Sequence, residues 1–343
     1  MASPDFPELV RLQQLIVQHG RGVRADIVLD VEAGGRRWPV WCLEVGSTDL
    51  RAPAIGFFAG VHGMERIGTQ VLIAWLETVL ARRQWDSHFG ELLQKVRLVF
   101  MPIVNPGGLA LGTRANPGGI DLMRAAPVEA SGRVPFLVGG HRLGPWLPWY
   151  RGQAADPLPP EAAALFEVVR ARLHPHPFAL AMDCHSGFGL RDRIWFPYAR
   201  SREPAPHLPE AFALRALFNQ TWPNHSYYLM EPQSLSYTTH GDLWDFLYDE
   251  HRAKYPGLFL PFTLEMGSWL WVKKNPRQFF SWFGHFNPIL PHRLERVLRR
   301  HLILFDFLLQ ATASWQAWLP EGEQRQRYHE LALERWFPPG KGG

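Results

Sequence analysis

Four apolar runs rich in β-branched and aromatic residues recur along this chain with helical patterns between them, and this alternation narrows the fold more than any other feature. The runs are Ala54–Val61, Val96–Val104, Phe178–Met182 and Leu258–Leu264, and none shows the strict in-and-out alternation of a strand with one wet face. They predict strands of a mostly buried sheet in an α/β fold. The segment from Ile67 to Ala81, directly after the first run, reads as an amphipathic helix. Each run stops at polar residues: His62, Asn105-Pro-Gly-Gly, Asp183-Cys184-His185 and Glu265. Open α/β sheets gather their sites at the carboxyl ends of strands, so these residues are expected to meet in one place.

The 343 residues, 46% hydrophobic and 13% aromatic, are enough to bury a large core. No run approaches the roughly 20 apolar residues of a membrane span, so no membrane partner is expected. The start, Met1-Ala-Ser-Pro-Asp-Phe-Pro-Glu8, is acidic and broken by proline where a secretory leader is basic and then apolar, which points to a cytoplasmic protein. Cys42 and Cys184 are expected as free buried thiols. A pI near 9.2 invites a nucleic-acid reading, but the net charge is only +4. Of the 36 basic residues 31 are arginines scattered without a basic run, repeat or stacking motif, so no nucleic-acid partner is expected. From Ala125 to Pro160 the chain is rich in Pro, Gly and Trp without periodicity and reads as a long loop that shapes access to a site. A long helix is expected from Pro291 to Leu319 and a charged one from Gly322 to Trp336, then a Gly-rich tail. No composition break divides the chain, and nothing in it speaks to oligomeric state.

Two potential ligands three residues apart, His62 and Glu65, a third far along the chain, His185, and an isolated Glu265 at a later strand end match the needs of a catalytic zinc. Such a site takes three protein ligands, keeps an open position for water and has a base beside it. Glu265 is the candidate base.

With these residues in place, the chain resembles the zinc carboxypeptidase family over roughly His62 to Gly267. In that family the ligands fall on His62, Glu65 and His185 and the base on Glu265. The mobile tyrosine, followed by Gly, Asp and Tyr at fixed spacing, falls on Tyr237, with Gly241, Asp245 and Tyr248 keeping the register. The resemblance implies one domain over residues 1–343, with a mixed, mostly parallel, twisted central sheet flanked by helices on both faces, and one zinc ion as cofactor. It makes Arg114 the stabiliser of a developing oxyanion and Arg124 the grip on a terminal carboxylate, a task suited to a bidentate guanidinium. Asp121 corresponds to the carboxylate that receives the other ring N–H of His62. Trp244 stands at the floor of the family's specificity pocket, which implies a shallow pocket unsuited to Lys or Arg side chains. Asp245 is read as structural. The peptide between Ser186 and Gly187 is expected to be cis.

One departure is Met123, where the family has an asparagine that shares the carboxylate with the arginine. The compact spacing of Arg114 and Arg124 is similar to that of bacterial murein-peptide amidases of the superfamily. Trp146, Trp149 and Arg151, late in the long loop, are expected to supply other substrate contacts. The leading expectation is a metallocarboxypeptidase or amidase that hydrolyses an amide next to a free carboxylate, acting on a peptide. A zinc-dependent deacylase of N-acyl amino acids, similar to succinylglutamate desuccinylase and aspartoacylase, is the alternative. A non-catalytic binding module on this fold is a third reading, against which stands the survival of His62, Glu65, His185 and Glu265 together.

Overall fold

Burial on both faces turns each apolar run into a strand of a single eight-stranded sheet. In chain order the strands are β1 (Arg24–Ala33), β2 (Arg36–Gly46), β3 (Ala54–Ala59), β4 (Arg97–Met101), β5 (Phe178–Gly187), β6 (Asp192–Phe196), β7 (Tyr228–Pro232) and β8 (Leu258–Gly267). The structure is a computed structural model that describes residues 6–20, 22–187, 189–281 and 283–338. The expectations about residues 1–5 and the Gly-rich tail at 339–343 lie outside them.

The strand order is β1-β2-β4-β3-β5-β8-β6-β7. Pairs β3/β4, β3/β5, β5/β8 and β6/β7 are parallel, and β1/β2, β2/β4 and β6/β8 are antiparallel. The expected mixed, mostly parallel sheet is therefore present, with an antiparallel hairpin at one edge. Strand periodicity divides the core in two. Ile55, Phe57, Leu98, Phe100, Leu180 and Met182 face the helices Arg66–Trp85 and Pro291–Ala313. On that side Phe57 stacks on Phe100 at 5.4 Å and meets Phe305 at 5.2 Å. Phe58, Val99 and Ala181 face the helices Pro160–Arg172 and Leu243–Lys254.

The β1/β2 hairpin was not anticipated, although its turn carries a signal: Gly34 and Gly35, at φ 60° and 73°, take the left-handed backbone that a two-residue hairpin requires. The long C-terminal helix ends at Ala313, short of the expected Leu319, and a separate turn spans Trp315–Trp318. The break lets Trp315 stack on Phe178 at 5.6 Å while Trp318 Nε1 donates to the Ala311 carbonyl at 2.7 Å. Cys42 and Cys184 are free and buried. Among the described residues no helix is long and apolar enough to cross a membrane.

From 125 to 159 the chain forms no helix or strand. Arg151 anchors this loop: its guanidinium donates to the carbonyls of Arg124 (3.2 Å) and Val128 (3.3 Å) and to Glu129 (2.7 Å). Arg151 is thus a buried staple and does not line the cleft described next. Its planar fork is satisfied inside the loop.

Candidate metal centre and cleft

β3 ends at Ala59, and the chain turns through Gly60 to Glu65 before the helix Arg66–Trp85 begins. Two buried amides hold that turn. Asn105 donates to the Val61 carbonyl at 3.2 Å and accepts from Gly108 N–H at 2.8 Å. Asn287 donates to the Met64 carbonyl at 2.8 Å and accepts from Ile67 N–H at 2.9 Å. A β-carbon on Gly63 would lie 2.0 Å from the Gly108 carbonyl carbon, so the two loops pack as closely as glycine permits. His62 and Glu65 leave this turn toward β5.

β5 carries Asp183 and His185 on one face, as residues i and i+2 of a strand must be, and places His185 opposite Glu265 of β8. His62 Nδ1 lies 2.8 Å from Glu65 Oε1, His185 Nδ1 lies 3.0 Å from Glu65 Oε2, and the two Nδ1 atoms are 3.2 Å apart. All three side chains are buried, with their donor atoms within 4.8 Å of one another. Tetrahedral zinc bonds of about 2.0–2.1 Å put ligand atoms roughly 3.3 Å apart, close to this spacing. The rear nitrogens are tied down as well: His62 Nε2 faces Asp121 Oδ1 at 3.0 Å and His185 Nε2 faces Asp183 Oδ2 at 2.7 Å. Carboxylates behind both imidazoles fix each ring with Nδ1 forward, so the donor set fits a zinc ion.

The charges around the centre reinforce one another. Burial alone raises the Asp121 carboxyl, but Arg114 and His62 outweigh it and hold the group well below the usual carboxylate range. Burial likewise raises Glu65, yet the two histidines keep its carboxyl low. Burial lowers His185, whereas Asp183 and Glu65 push it well above the ordinary imidazole value. The carboxylates of Asp121 and Glu65 are thus held ionised, as metal-binding and ring-orienting groups must be. Arg114 closes the network, giving Nε to Asp121 Oδ2 at 2.9 Å and one terminal nitrogen to Glu65 Oε1 at 3.1 Å.

Beside the donors opens a cleft with about 390 Å³ of solvent-sized space, lined by Arg114, Met123, Arg124, Trp149, Tyr237 and Glu265 among others. Burial and the Glu65 carboxylate push Glu265 up to about 8, an effect that a divalent cation at the donors opposes. Arg124 donates to the carbonyls of Val138 at 3.2 Å and Met123 at 3.1 Å. Tyr237 sits against Arg124 and meets Trp195 edge-on at 5.9 Å; burial raises its hydroxyl while Arg124 opposes that. Trp149 reaches the cleft, whereas Trp146 lies out in solvent with 76% of its surface exposed.

Trp244 does not line the cleft, contrary to its expected place in a specificity pocket. Its ring packs on Phe58 at 5.0 Å in the core, and its Nε1–H donates to Asp183 Oδ2 at 2.9 Å. The indole finds both its apolar contact and its acceptor behind β5, which turns it away from substrate. The Ser186–Gly187 peptide is trans: the cis bond among the described residues is Pro197–Tyr198. β5 runs through both residues, pairing them with Met266 and Gly267, and Ser186 N–H donates to Glu65 Oε2 at 3.1 Å, which extended trans backbone accommodates. Asp245 accepts from the backbone N–H groups of Ala199 (2.9 Å) and Arg200 (2.7 Å) and is structural. Asp183, expected at the site but without a role, stands behind His185, whereas Arg191 and Arg193 line the cleft and were not singled out from the sequence. The signal for the role of Asp183 was its i, i+2 relation to His185; the two arginines carried none.

The chain is similar to known proteins in the same region. A family model described as zinc carboxypeptidase matches residues 34–270. Carboxypeptidase D of Drosophila melanogaster is 26% identical over 162 residues, covering 45% of this chain and 10% of that protein. Carboxypeptidase D of Anas platyrhynchos is 32% identical over 73 residues, covering 20% of this chain and 5% of that protein. This chain thus spans a tenth or less of the length of these curated relatives. Among solved structures, bovine thrombin-activatable fibrinolysis inhibitor superposes with a TM-score of 0.61 at 18% identity over 88% of this chain and 94% of that one. Carboxypeptidase A from Helicoverpa armigera gives 0.63 at 15% identity over 88% and 71%. Similarity at these identities establishes the fold.

Proposed function

Because this chain belongs to the zinc carboxypeptidase family, we propose that it hydrolyses the amide bond next to a free carboxylate and releases the C-terminal residue of a peptide. The observation that carries the reading is the placement of Glu265 on β8 directly across from His185, so that a carboxylate stands beside a converging His62–Glu65–His185 donor set. Zinc held by those three residues supplies Lewis acidity for the carbonyl and lowers the pKa of a water toward about 7.

The remaining roles fall to the chain's own side chains. Glu265 accepts a proton from the attacking water and delivers it to the departing amine nitrogen. Arg114, locked between Asp121 and Glu65, offers charge to the carbonyl oxygen as it becomes anionic, a task worth about 3 kcal/mol per donor. Arg124, which donates to the Val138 and Met123 carbonyls and pairs with no carboxylate among the described residues, keeps a full positive charge for the substrate carboxylate. Tyr237 lies beside it. Met123, which lines the cleft in place of an amide, contributes no donor to that grip.

The test uses zinc-loaded protein and three substrate classes: N-blocked dipeptides, γ-D-glutamyl peptides and N-acyl amino acids. Turnover of peptides with a free terminal carboxylate, abolished when that carboxylate is amidated, is the expected result. Turnover of N-acyl amino acids alone replaces the peptidase reading with the deacylase one.

A further inference from the structure

Four guanidinium groups, Arg114, Arg124, Arg191 and Arg193, face the cleft, against two carboxylates, Glu65 and Glu265. Arg114 is ion-paired with Asp121 and Glu65. Arg124 has no carboxylate within ion-pair distance among the described residues, and neither has Arg191, which stands exposed at the rim. Arg193 is ion-paired with Glu231 of β7, its Nε lying 3.3 Å from Oε1 though outside hydrogen-bond geometry. A cleft lined by more guanidinium than carboxylate groups is matched to an anion. One terminal carboxylate on Arg124 still leaves Arg191 without a counter-charge, and Arg193 beside it with only the partly exposed Glu231.

The sheet places the second anion. Arg191, Arg193 and Trp195 lie at alternate positions on or next to β6, on the face toward the cleft, and Arg193 is the cross-strand partner of Glu265. Trp195, two residues from Arg193, touches Tyr237, which in turn lies against Arg124. Trp195 and Tyr237 thus link Arg193 to Arg124 along the cleft, and Arg193 lies on the far side of Glu265 from His185. We infer that the substrate residue carrying the terminal carboxylate also carries a second, side-chain carboxylate, received by Arg193 with Arg191 at the rim. The leaving residue is then of the aspartyl or glutamyl class. This inference rests on the carboxypeptidase reading and adds the chemical class of the released residue.

The experiment compares N-blocked Ala-Glu with its neutral isostere Ala-Gln, and with Glu-Ala, in which the acid sits on the acyl side. With zinc-loaded protein kcat/KM for Ala-Glu should exceed that for Ala-Gln at least tenfold, with no such gain for Glu-Ala over Gln-Ala. Arg193→Gln should bring the Glu/Gln ratio near one, and Arg191→Gln, at an exposed position, should reduce it severalfold with Tm unchanged. Calorimetric binding of the same peptides to zinc-loaded Glu265→Gln protein reads the preference without turnover. Equal binding and equal turnover of Ala-Glu and Ala-Gln overturn the inference and leave the peptidase reading standing. An equal gain for Glu-Ala, which marks general attraction, also overturns it. Selective binding of Ala-Glu with no cleavage of any peptide by the unaltered protein sinks the peptidase reading instead, and failure to bind either peptide overturns both.

Discussion

Gly187→Ala separates catalysis from folding at this site. A β-carbon built on Gly187 falls 2.1 Å from Glu265 Oε1 and 3.2 Å from its Cδ. Carbon and oxygen atoms rest at about 3.3 Å even in close contacts, so the carboxylate must retreat by roughly 1 Å or more. It is the far end of a flexible side chain facing a cleft, so it yields where the backbone does not. Gly187 is not among the glycines with positive φ, and alanine fits its extended conformation. The lost freedom of the unfolded chain even favours the variant by about 0.4–1 kcal/mol. A base displaced by about 1 Å loses on the order of a hundredfold in rate. The expected outcome is kcat on a blocked dipeptide reduced about a hundredfold, unchanged zinc content and an equal or slightly raised Tm. In a Glu265→Gln background the same alanine should cost little more, because both changes act on one group. A Gly187→Ala enzyme with near-normal kcat, or a penalty that multiplies fully with Glu265→Gln, refutes the placement of Glu265 as the base.

Glu265→Gln alone should keep its zinc and lower kcat at least about a hundredfold, as measured by metal analysis and steady-state kinetics. Asp121→Asn and Asp183→Asn should each weaken zinc binding by about 10–100-fold in competition with a chelator, since each carboxylate orients one ligand ring; unchanged affinity would remove that carboxylate from the centre. Burial depresses His174 to about 3 and His207 and His251 to about 4, and His174 and His251 lie 4.9 Å apart. The folded values lie below the unfolded value of about 6.5, so their contribution to stability is full above that pH and is lost as pH falls toward 4. The denaturation midpoint should therefore drop between pH 6.5 and 5, and His251→Leu should flatten that slope; an unchanged slope counts against the assignment.

What the sequence reveals about this protein follows from how local each interaction is. β3, β4, β5 and β8 were legible because strands buried on both faces read as unbroken apolar runs, and such strands end where a parallel sheet collects its polar residues. His62, Glu65 and Glu265 stand at those ends, so the structure brings them together with His185 as the runs implied. The β1/β2 hairpin escaped because its outer strand is half exposed and carries no such run, although Gly34-Gly35 marked its turn. Arg191 and Arg193 could not be told from the other arginines of an Arg-rich chain, because only the β6/β8 register sets Arg193 beside the base. Trp244 shows a different limit. Its position in the chain matched a specificity pocket, but a position fixes where a Cα lies, not which way an indole turns. The turn is decided by Asp183, 61 residues away, whose Oδ2 receives both the Trp244 N–H and the rear nitrogen of His185. A residue assigned to substrate by analogy instead supports a zinc ligand through an aspartate. Thr263, Trp195 and Met123, brought by β8, β6 and the segment before the long loop, line the cleft where Trp244 does not.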